Sequence, residues 1–204
     1  MNGEKDSLHR FLVWMAMLTF VVVVGVTTYG YLFESGDELG VMEYRRGNLR
    51  LEDGKPEGAL REFDTVLKRD PNHAPSHLGR ALALMALRQN DEALMSFDLA
   101  VEIRPDFSAV YANRGILHDR MGRYSEAISD YHKALSLDPE LGEGPGWITR
   151  FLRNQDEPPP TIADRARYLE AELKKPAWER KLRFEEIDQK QRSYKYEGPI
   201  SPEK

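Results

Sequence analysis

The stretch that decides the fold is YANRGILHDRMGRYSEAISDYHKALSLDP, residues 111–139. In it, small residues, an aromatic residue and a closing proline stand at fixed distances, and a Met-Gly pair separates two segments of helical composition. Aligning Pro139 with Pro105 and Pro71, which are evenly spaced along the chain, shows the same pattern twice more. The period of about 34 residues predicts three copies of one helix–turn–helix unit.

Four positions of this period carry the same kind of residue in every copy. Small residues at two positions let the paired helices approach closely, and an aromatic residue follows one turn later on the same face. A proline then ends the second helix, because it moves the preceding residue out of the α region. We expect turns between the helices at Asp53-Gly54, Gln89-Asn90 and Met121-Gly122. The four sets are Gly47, Ala81 and Gly115; Ala59, Ala93 and Ala127; Phe63, Phe97 and Tyr131; and Val66, Ala100 and Ala134.

The pattern resembles that of the tetratricopeptide repeat family, whose units are helical hairpins of about 34 residues. The resemblance implies an all-α solenoid with a short capping helix at 146–154, since terminal repeats need a cover for their apolar face. One departure is that the position usually held by Trp carries Glu43, His77 and Tyr111. The three units are repeat 1 (40–73), repeat 2 (74–107) and repeat 3 (108–141).

A long run without charge, 11–33, follows a short N-terminal tail at 1–10. A helix of roughly 20 apolar residues spans a bilayer core, so we expect an uncleaved transmembrane helix here. A signal peptide would have a shorter apolar region, of about 7–15 residues, and a cleavage site. The cations before the run predict a single-pass protein with a cytoplasmic N-terminus and an extracytoplasmic repeat domain at 34–153, periplasmic if the source is bacterial. The opposite orientation stays open because Arg45, Arg46 and Arg50 follow the run.

The remainder of the chain predicts a helical arm. A proline-rich linker at 154–160 leads into C-terminal helices over 161–192 and an extended tail over 193–204. Thr161 and Asp164 are expected to cap a helix that reaches Lys174, and Pro176 is expected to begin another. Two interpretations stay open: the helices fold back on the solenoid, or the arm wraps a partner through Trp178, Tyr194 and Tyr196.

The composition excludes several kinds of chemistry. The chain has no cysteine, which rules out disulfides and thiolate metal ligands, and its formal net charge of −5 does not favour nucleic acid. His73 and His77 have the i, i+4 spacing of zinc ligands, but Pro75 lies between them and no third ligand is evident. No catalytic constellation is present, so we expect no enzyme, no cofactor, no metal and no small-molecule substrate.

By the resemblance, the first helix of each repeat lines a concave groove. Carboxylate-clamp members of the family hold a peptide C-terminus with lysines, asparagines and an arginine, whereas here Asn48 alone fits, and Tyr44, Gly79, Ala109 and Asn113 hold the other positions. The apolar middle suits an amphipathic helix or an apolar peptide, including this chain's own C-terminal segment. Alternatively, Leu82 and Met85 pack within the solenoid. The candidate groove residues are Tyr44, Arg45, Asn48, Leu78, Leu82, Met85, Asn113, Ile116 and Arg120.

These observations predict a membrane-anchored scaffold that binds another protein, with the bilayer contacted through 11–33. It would act as an accessory subunit or an assembly factor of a membrane or envelope complex. A self-associating array of repeats at the membrane is the alternative, and a metal-binding or enzymatic protein is a further one from another class.

Overall fold

The computed structural model describes the backbone of residues 2–144 and 160–183, and the side chains of 13–28, 40–144 and 160–183. Within these ranges the chain is helical and contains no strand. Two 3₁₀ turns, Pro139–Gly142 and Ala177–Glu179, follow the sixth and seventh helices. The helices are α1 (Asn2–Glu52), α2 (Pro56–Arg69), α3 (Ala74–Ala86), α4 (Asn90–Ile103), α5 (Ser108–Arg120), α6 (Tyr124–Leu137) and α7 (Ile162–Leu173).

The chain divides into two compact units, Met1–Met42 and Glu43–Lys204. In the part of the chain that the structure describes, no helix is long and apolar enough to cross a membrane. The localisation expected from 11–33, a single-pass membrane protein of either orientation, is therefore wrong.

The second unit stacks three helix pairs, and the recurring residues of the repeat period form their contacts. The alanines 59, 93 and 127 and the aromatic residues 63, 97 and 131 are all fully buried. A Cβ built on Gly47 would lie 2.6 Å from Cε1 of Phe63, and one built on Gly115 would lie 2.8 Å from Cδ1 of Tyr131. Any larger residue at Gly47 or Gly115 would push the aromatic ring away, so these positions must be small.

The turn inside each pair has the same backbone geometry in all three repeats. Gly54, Arg88 and Gly122, which occupy the same position of the period, have φ of 68°, 61° and 77°. Each donates its N–H to a carbonyl one turn earlier, at 3.1, 3.2 and 3.0 Å. Glycine adopts this left-handed conformation freely, and arginine does not. The second turn therefore centres on Arg88, immediately before the expected Gln89-Asn90 pair.

His77 and Tyr111, at the position that usually holds Trp in the family, each form a hydrogen bond to the segment before their repeat. In repeat 3 the Tyr111 hydroxyl donates to the Pro105 carbonyl at 3.0 Å, and in repeat 2 Nε2 of His77 lies 2.8 Å from the Pro71 carbonyl. The carbonyl can only accept, so Nε2 carries the proton and the imidazole is a donor. Tyrosine and histidine thus form the same bond at the same place.

Helix α7 covers the end of the array by packing against α6. Its expected capping box is confirmed, because Thr161 Oγ1 accepts the Asp164 N–H and the Asp164 carboxylate accepts the Thr161 N–H. The latter bond lowers the pKa of Asp164. Ile162, Ala166 and Leu169 are buried in the same core cluster as repeats 2 and 3. Residues 162–173 therefore fold back on the solenoid, the first of the two interpretations above.

A buried ion pair joins α7 to repeat 3. Arg165 donates from Nε and a terminal nitrogen to the Asp119 carboxylate, at 2.7 and 2.8 Å, and the side chains are 4% and 3% exposed. The Tyr131 hydroxyl donates to the same carboxylate at 3.3 Å. Two parallel bonds fix the angle between Arg165 and Asp119, so they set the orientation of α7 on the array.

The expected second C-terminal helix is absent from its described part. After Pro176 the chain forms the 3₁₀ turn Ala177–Glu179, and residues 180–183 then continue without helical structure. Side chains of α7 bond to the peptide groups of residues 181 and 182, which gives these groups an alternative to the hydrogen bonds of a helix. The capping helix expected at 146–154 lies outside the described residues.

Candidate protein-binding groove

The first helices of the three repeats line one cavity of about 250 Å³ in the second unit. Its residues come from the C-terminal part of α1, most of α3 and the end of α5. We call this cavity and its walls the groove. It is lined by Tyr44, Asn48, Leu51, Glu52, Leu78, Gly79, Leu82, Met85, Ala86 and Arg120.

The floor of the groove is apolar and rigid. Leu78 and Met85 are 2% and 7% exposed, and Tyr44 is 4% exposed. The Tyr44 ring packs edge to face against Phe63 and His73, with centroid distances of 5.9 and 5.6 Å. Such packing fixes the ring, so the floor is formed before any ligand arrives.

The walls and rim are more accessible and carry the polar groups. Leu51, Leu82 and Asn48 are half-buried on the walls, while Glu52 and Arg120 are exposed at the rim. The groove therefore combines an apolar floor with one amide and two opposite charges at its edge. This arrangement suits an apolar side chain whose backbone or flanking residues need polar partners.

Six of the nine expected groove residues line this cavity: Tyr44, Asn48, Leu78, Leu82, Met85 and Arg120. The other three lie elsewhere. Arg45 is exposed and does not line it, while Asn113 and Ile116 are fully buried. The Asn113 amide donates at 2.7 Å to the carbonyl of Ala109, one turn earlier in its own helix. Neither Asn113 nor Ile116 is therefore available to a ligand at this surface.

Leu51 and Glu52 line the groove and are missing from the sequence-based set. Leu51 in repeat 1 and Met85 in repeat 2 occupy the same position of the period. Glu52, Ala86 and Arg120 likewise share one position in repeats 1, 2 and 3. Once Met85 and Arg120 are chosen, the period therefore points to Leu51 and Glu52. This is the signal that identifies them.

The positions that carry the carboxylate clamp in some tetratricopeptide repeat proteins have no cation here. A Cβ built on Gly79 would overlap the Phe63 ring, so the α3 position is closed by the core. Ala109 and Asn113 are buried as well. Without lysine or arginine at these places, the clamp positions supply no positive charge to a terminal carboxylate.

The two histidines with zinc-like spacing have structural roles. Nδ1 of His73 accepts the Ser76 N–H at the start of α3, and it lies 2.7 Å from the Ser76 hydroxyl. Nε2 of His77 bonds to the Pro71 carbonyl, as described above. Burial lowers the pKa of His77 and that of His118, so both imidazoles favour the neutral form.

The residues expected in a C-terminal arm are only partly described. Trp178 is 84% exposed in the turn after α7. Tyr194 and Tyr196 lie outside the described residues.

Comparison with known proteins supports the repeat assignment. Models of the family described as "Tetratricopeptide repeat" match residues 44–106 and 108–141. Stress-induced-phosphoprotein 1 of Caenorhabditis elegans is 29% identical over 129 residues, which are 63% of this chain and 40% of the relative. Hsp70-Hsp90 organizing protein 3 of Arabidopsis thaliana is 27% identical over 101 residues, which are 50% of this chain and 18% of the relative.

The similarity to a solved structure concerns the fold alone. The first TPR domain of human RPAP3 has 22% identity and a TM-score of 0.50, and the match covers 65% of this chain and 96% of that one. The curated relatives above are much longer than the part that this chain matches, which is less than half of each. Tetratricopeptide repeats form protein-interaction scaffolds. The two family matches and the stacked helix pairs show that this chain belongs to the tetratricopeptide repeat family.

Proposed function

We propose that this chain is a scaffold that binds an apolar segment of another protein in the groove, and that it serves a protein complex as an accessory subunit or assembly factor. The observation that carries the proposal is the preformed apolar floor of Tyr44, Leu78 and Met85 beneath a polar rim. Peptide-binding sites built on helices use this combination, in which apolar anchors give affinity and rim groups give orientation.

The size of the groove favours side chains of a peptide over a complete small ligand. Small-molecule pockets have volumes of about 300–1,000 Å³, and this cavity holds about 250 Å³. The proposed ligand is therefore an amphipathic helix or extended segment that inserts one or two apolar residues. Asn48 is placed to bond its backbone, and Glu52 and Arg120 are placed to select opposite charges beside the anchor.

A role in assembly agrees with the names of the relatives, one of which is an organizing protein for Hsp70 and Hsp90. The groove itself points to a different ligand chemistry. The clamp positions hold Tyr44, Gly79, Ala109 and Asn113, so we do not propose recognition of an acidic C-terminus. An apolar anchor is the chemistry that the lining residues support.

The test compares Leu82→Glu with Leu99→Glu in the full chain. Leu82 lines the groove, whereas Leu99 is 44% exposed on α4 and lies outside it. A buried apolar anchor contributes about 1.5–3 kcal/mol, so Leu82→Glu should reduce recovery of the partner by about tenfold or more. Leu99→Glu should not. Undiminished recovery with Leu82→Glu, at unchanged helical content, would remove the groove from the function.

Quantitative mass spectrometry of the same purifications separates the two versions of the role. A partner recovered with wild type at a fixed molar ratio, and lost with Leu82→Glu, identifies an accessory subunit. Several partners at substoichiometric and varying ratios, all lost with Leu82→Glu, identify an assembly factor.

A further inference from the structure

The chain reverses direction after α7 and returns along that helix toward the groove. The turn is held by Arg180, whose guanidinium donates to the carbonyls of Lys175 and Leu173 at 2.8 and 3.1 Å. The Leu173 carbonyl is one that the end of α7 leaves without a helical partner, and the Lys175 carbonyl lies just beyond that end. The direction of residues 180–183 is therefore imposed by the helix end.

Side chains of α7 then hold the returning segment residue by residue. Glu172 accepts the Lys181 N–H at 2.8 Å, Tyr168 donates to the Lys181 carbonyl at 2.5 Å, and Arg165 donates to the Leu182 carbonyl at 2.9 Å. The Leu182 side chain packs against the core of repeats 2 and 3. Three successive contacts at 172, 168 and 165 show that the segment runs antiparallel to α7.

The returning segment arrives at the rim of the groove. The Arg183 guanidinium donates to the backbone carbonyl of Arg120, the last residue of α5. Arg120 is itself a lining residue, together with Asn48, Leu82 and Met85. The described C-terminal segment therefore ends with a side chain that is bonded to a residue of the groove rim.

We propose that the C-terminal segment, residues 184–204, binds the groove of its own chain. Phe184 and Ile187 would supply the apolar anchors, and Glu185 and Glu186 would pair with the rim cation Arg120. In the described part of the chain, no carboxylate forms an ion pair with the Arg120 side chain, so this cation is open to an acidic segment. Reach is no obstacle, because the chain from Arg183 to Ile187 extends about 13 Å.

The consequence is a groove with a built-in competitor. A tethered ligand acts at an effective concentration in the millimolar range, so a partner must displace it to bind. This inference rests on the proposed function, because it assigns an occupant to the same apolar floor. It adds that partner binding is controlled by release of the C-terminal segment.

The chain has no cysteine, so a pair of introduced cysteines reports proximity without interference. We would compare full-length Leu82→Cys/Ile187→Cys with the matched control Leu99→Cys/Ile187→Cys under mild oxidation. The expected result is an intrachain disulfide in the groove pair, formed about tenfold faster or more than in the control. Equal rates in the two variants, or no disulfide in the groove pair, would overturn the proposal. A disulfide between chains would also overturn it, because a second copy would then supply the occupant.

A second measurement separates this proposal from the proposed function. A labelled synthetic peptide of residues 184–204 is titrated against the wild-type full chain and against Phe184→Ser/Ile187→Ser. The variant should bind the peptide about tenfold more tightly or better, since its groove is no longer occupied in cis, and Leu82→Glu added to that variant should abolish binding. Equal affinity for wild type and variant contradicts cis occupancy. If partner recovery still depends on Leu82, that result leaves the proposed function standing.

Discussion

Arg88 occupies the left-handed turn position that glycine fills in the other two repeats. Its N–H bonds to Met85 as those of Gly54 and Gly122 bond to Leu51 and Asp119. A side chain in this conformation costs about 1–2 kcal/mol because its Cβ crowds the following carbonyl. Repeat 2 therefore carries backbone strain that repeats 1 and 3 avoid.

Arg88→Gly should raise the free energy of unfolding by about 0.5–1 kcal/mol, the relief of strain less the entropy that glycine adds to the unfolded chain. Equilibrium urea denaturation of the full chain measures the change. Gly122→Ala is the control, since it introduces a Cβ at the equivalent place, and it should lower stability by about 1 kcal/mol. An unchanged or lower free energy of unfolding for Arg88→Gly would show that the left-handed backbone at Arg88 does not destabilise the folded chain.

Arg88 also shows which features of the fold the sequence predicts and which it does not. The repeat spacing correctly predicts the helix pairs, because a buried alanine and an aromatic ring leave a recognisable pattern. The sequence places the turn between α3 and α4 at Gln89-Asn90, since asparagine is a usual turn residue. Arg88 escapes this prediction because arginine carries no turn signal, although it lies midway along the chain between Gly54 and Gly122.

At the scale of elements, α7 replaces part of the contact that a further repeat would make. Its buried Arg165 pairs with Asp119, which is the equivalent in repeat 3 of Met85 in repeat 2 and Leu51 in repeat 1. Two repeats thus place an apolar residue here on the groove, and the third places a carboxylate toward α7. A pattern of apolar residues does not foresee such a pair, because its value depends on a distant partner in a different element.

Arg165→Met should lower the free energy of unfolding by about 3–5 kcal/mol, because it leaves the Asp119 carboxylate buried without its cation. The double variant Asp119→Met/Arg165→Met should recover most of this loss, since methionine at 119 restores the residue type of Met85. Urea unfolding of wild type, both single variants and the double variant gives the coupling. Independent, additive losses would show that the ion pair does not hold α7.

In the groove, the repeat pattern predicts some of the lining residues correctly and others wrongly. Tyr44, Leu78 and Met85 are expected from the helices that carry them, and the structure brings them together on one floor. Asn113 and Ile116 are the equivalents in repeat 3 of the lining residues Gly79 and Leu82, but they are fully buried. Equivalence along the chain therefore does not ensure equal exposure when a terminal repeat packs against different neighbours.

At the scale of the whole molecule, stacked repeats share their stability, so a local change in charge is felt along the array. His77 in repeat 2 and His118 in repeat 3 both have a lowered pKa, chiefly through burial. Around His77, Arg80 and His73 lower the pKa further, while the bond to Pro71 and the charge of Asp70 oppose them. Around His118, Arg114 and Arg123 lower it, and Asp130 and Glu126 raise it.

These shifts predict that the chain loses stability in mild acid. The unfolded histidines bind protons near pH 6.5 and the folded ones only at lower pH, so the unfolded state binds more protons as pH falls from about 7 toward 5. His77→Tyr should reduce this loss, because tyrosine can donate to Pro71 as Tyr111 donates to Pro105 without titrating in this range. Urea unfolding at pH 8.0, 6.5 and 5.5 tests it, with His118 retained in both proteins. At pH 8.0 both histidines are neutral, so any difference there reports packing alone. An identical slope between pH 6.5 and 5.5 in wild type and variant would show that His77 contributes nothing to the acid sensitivity.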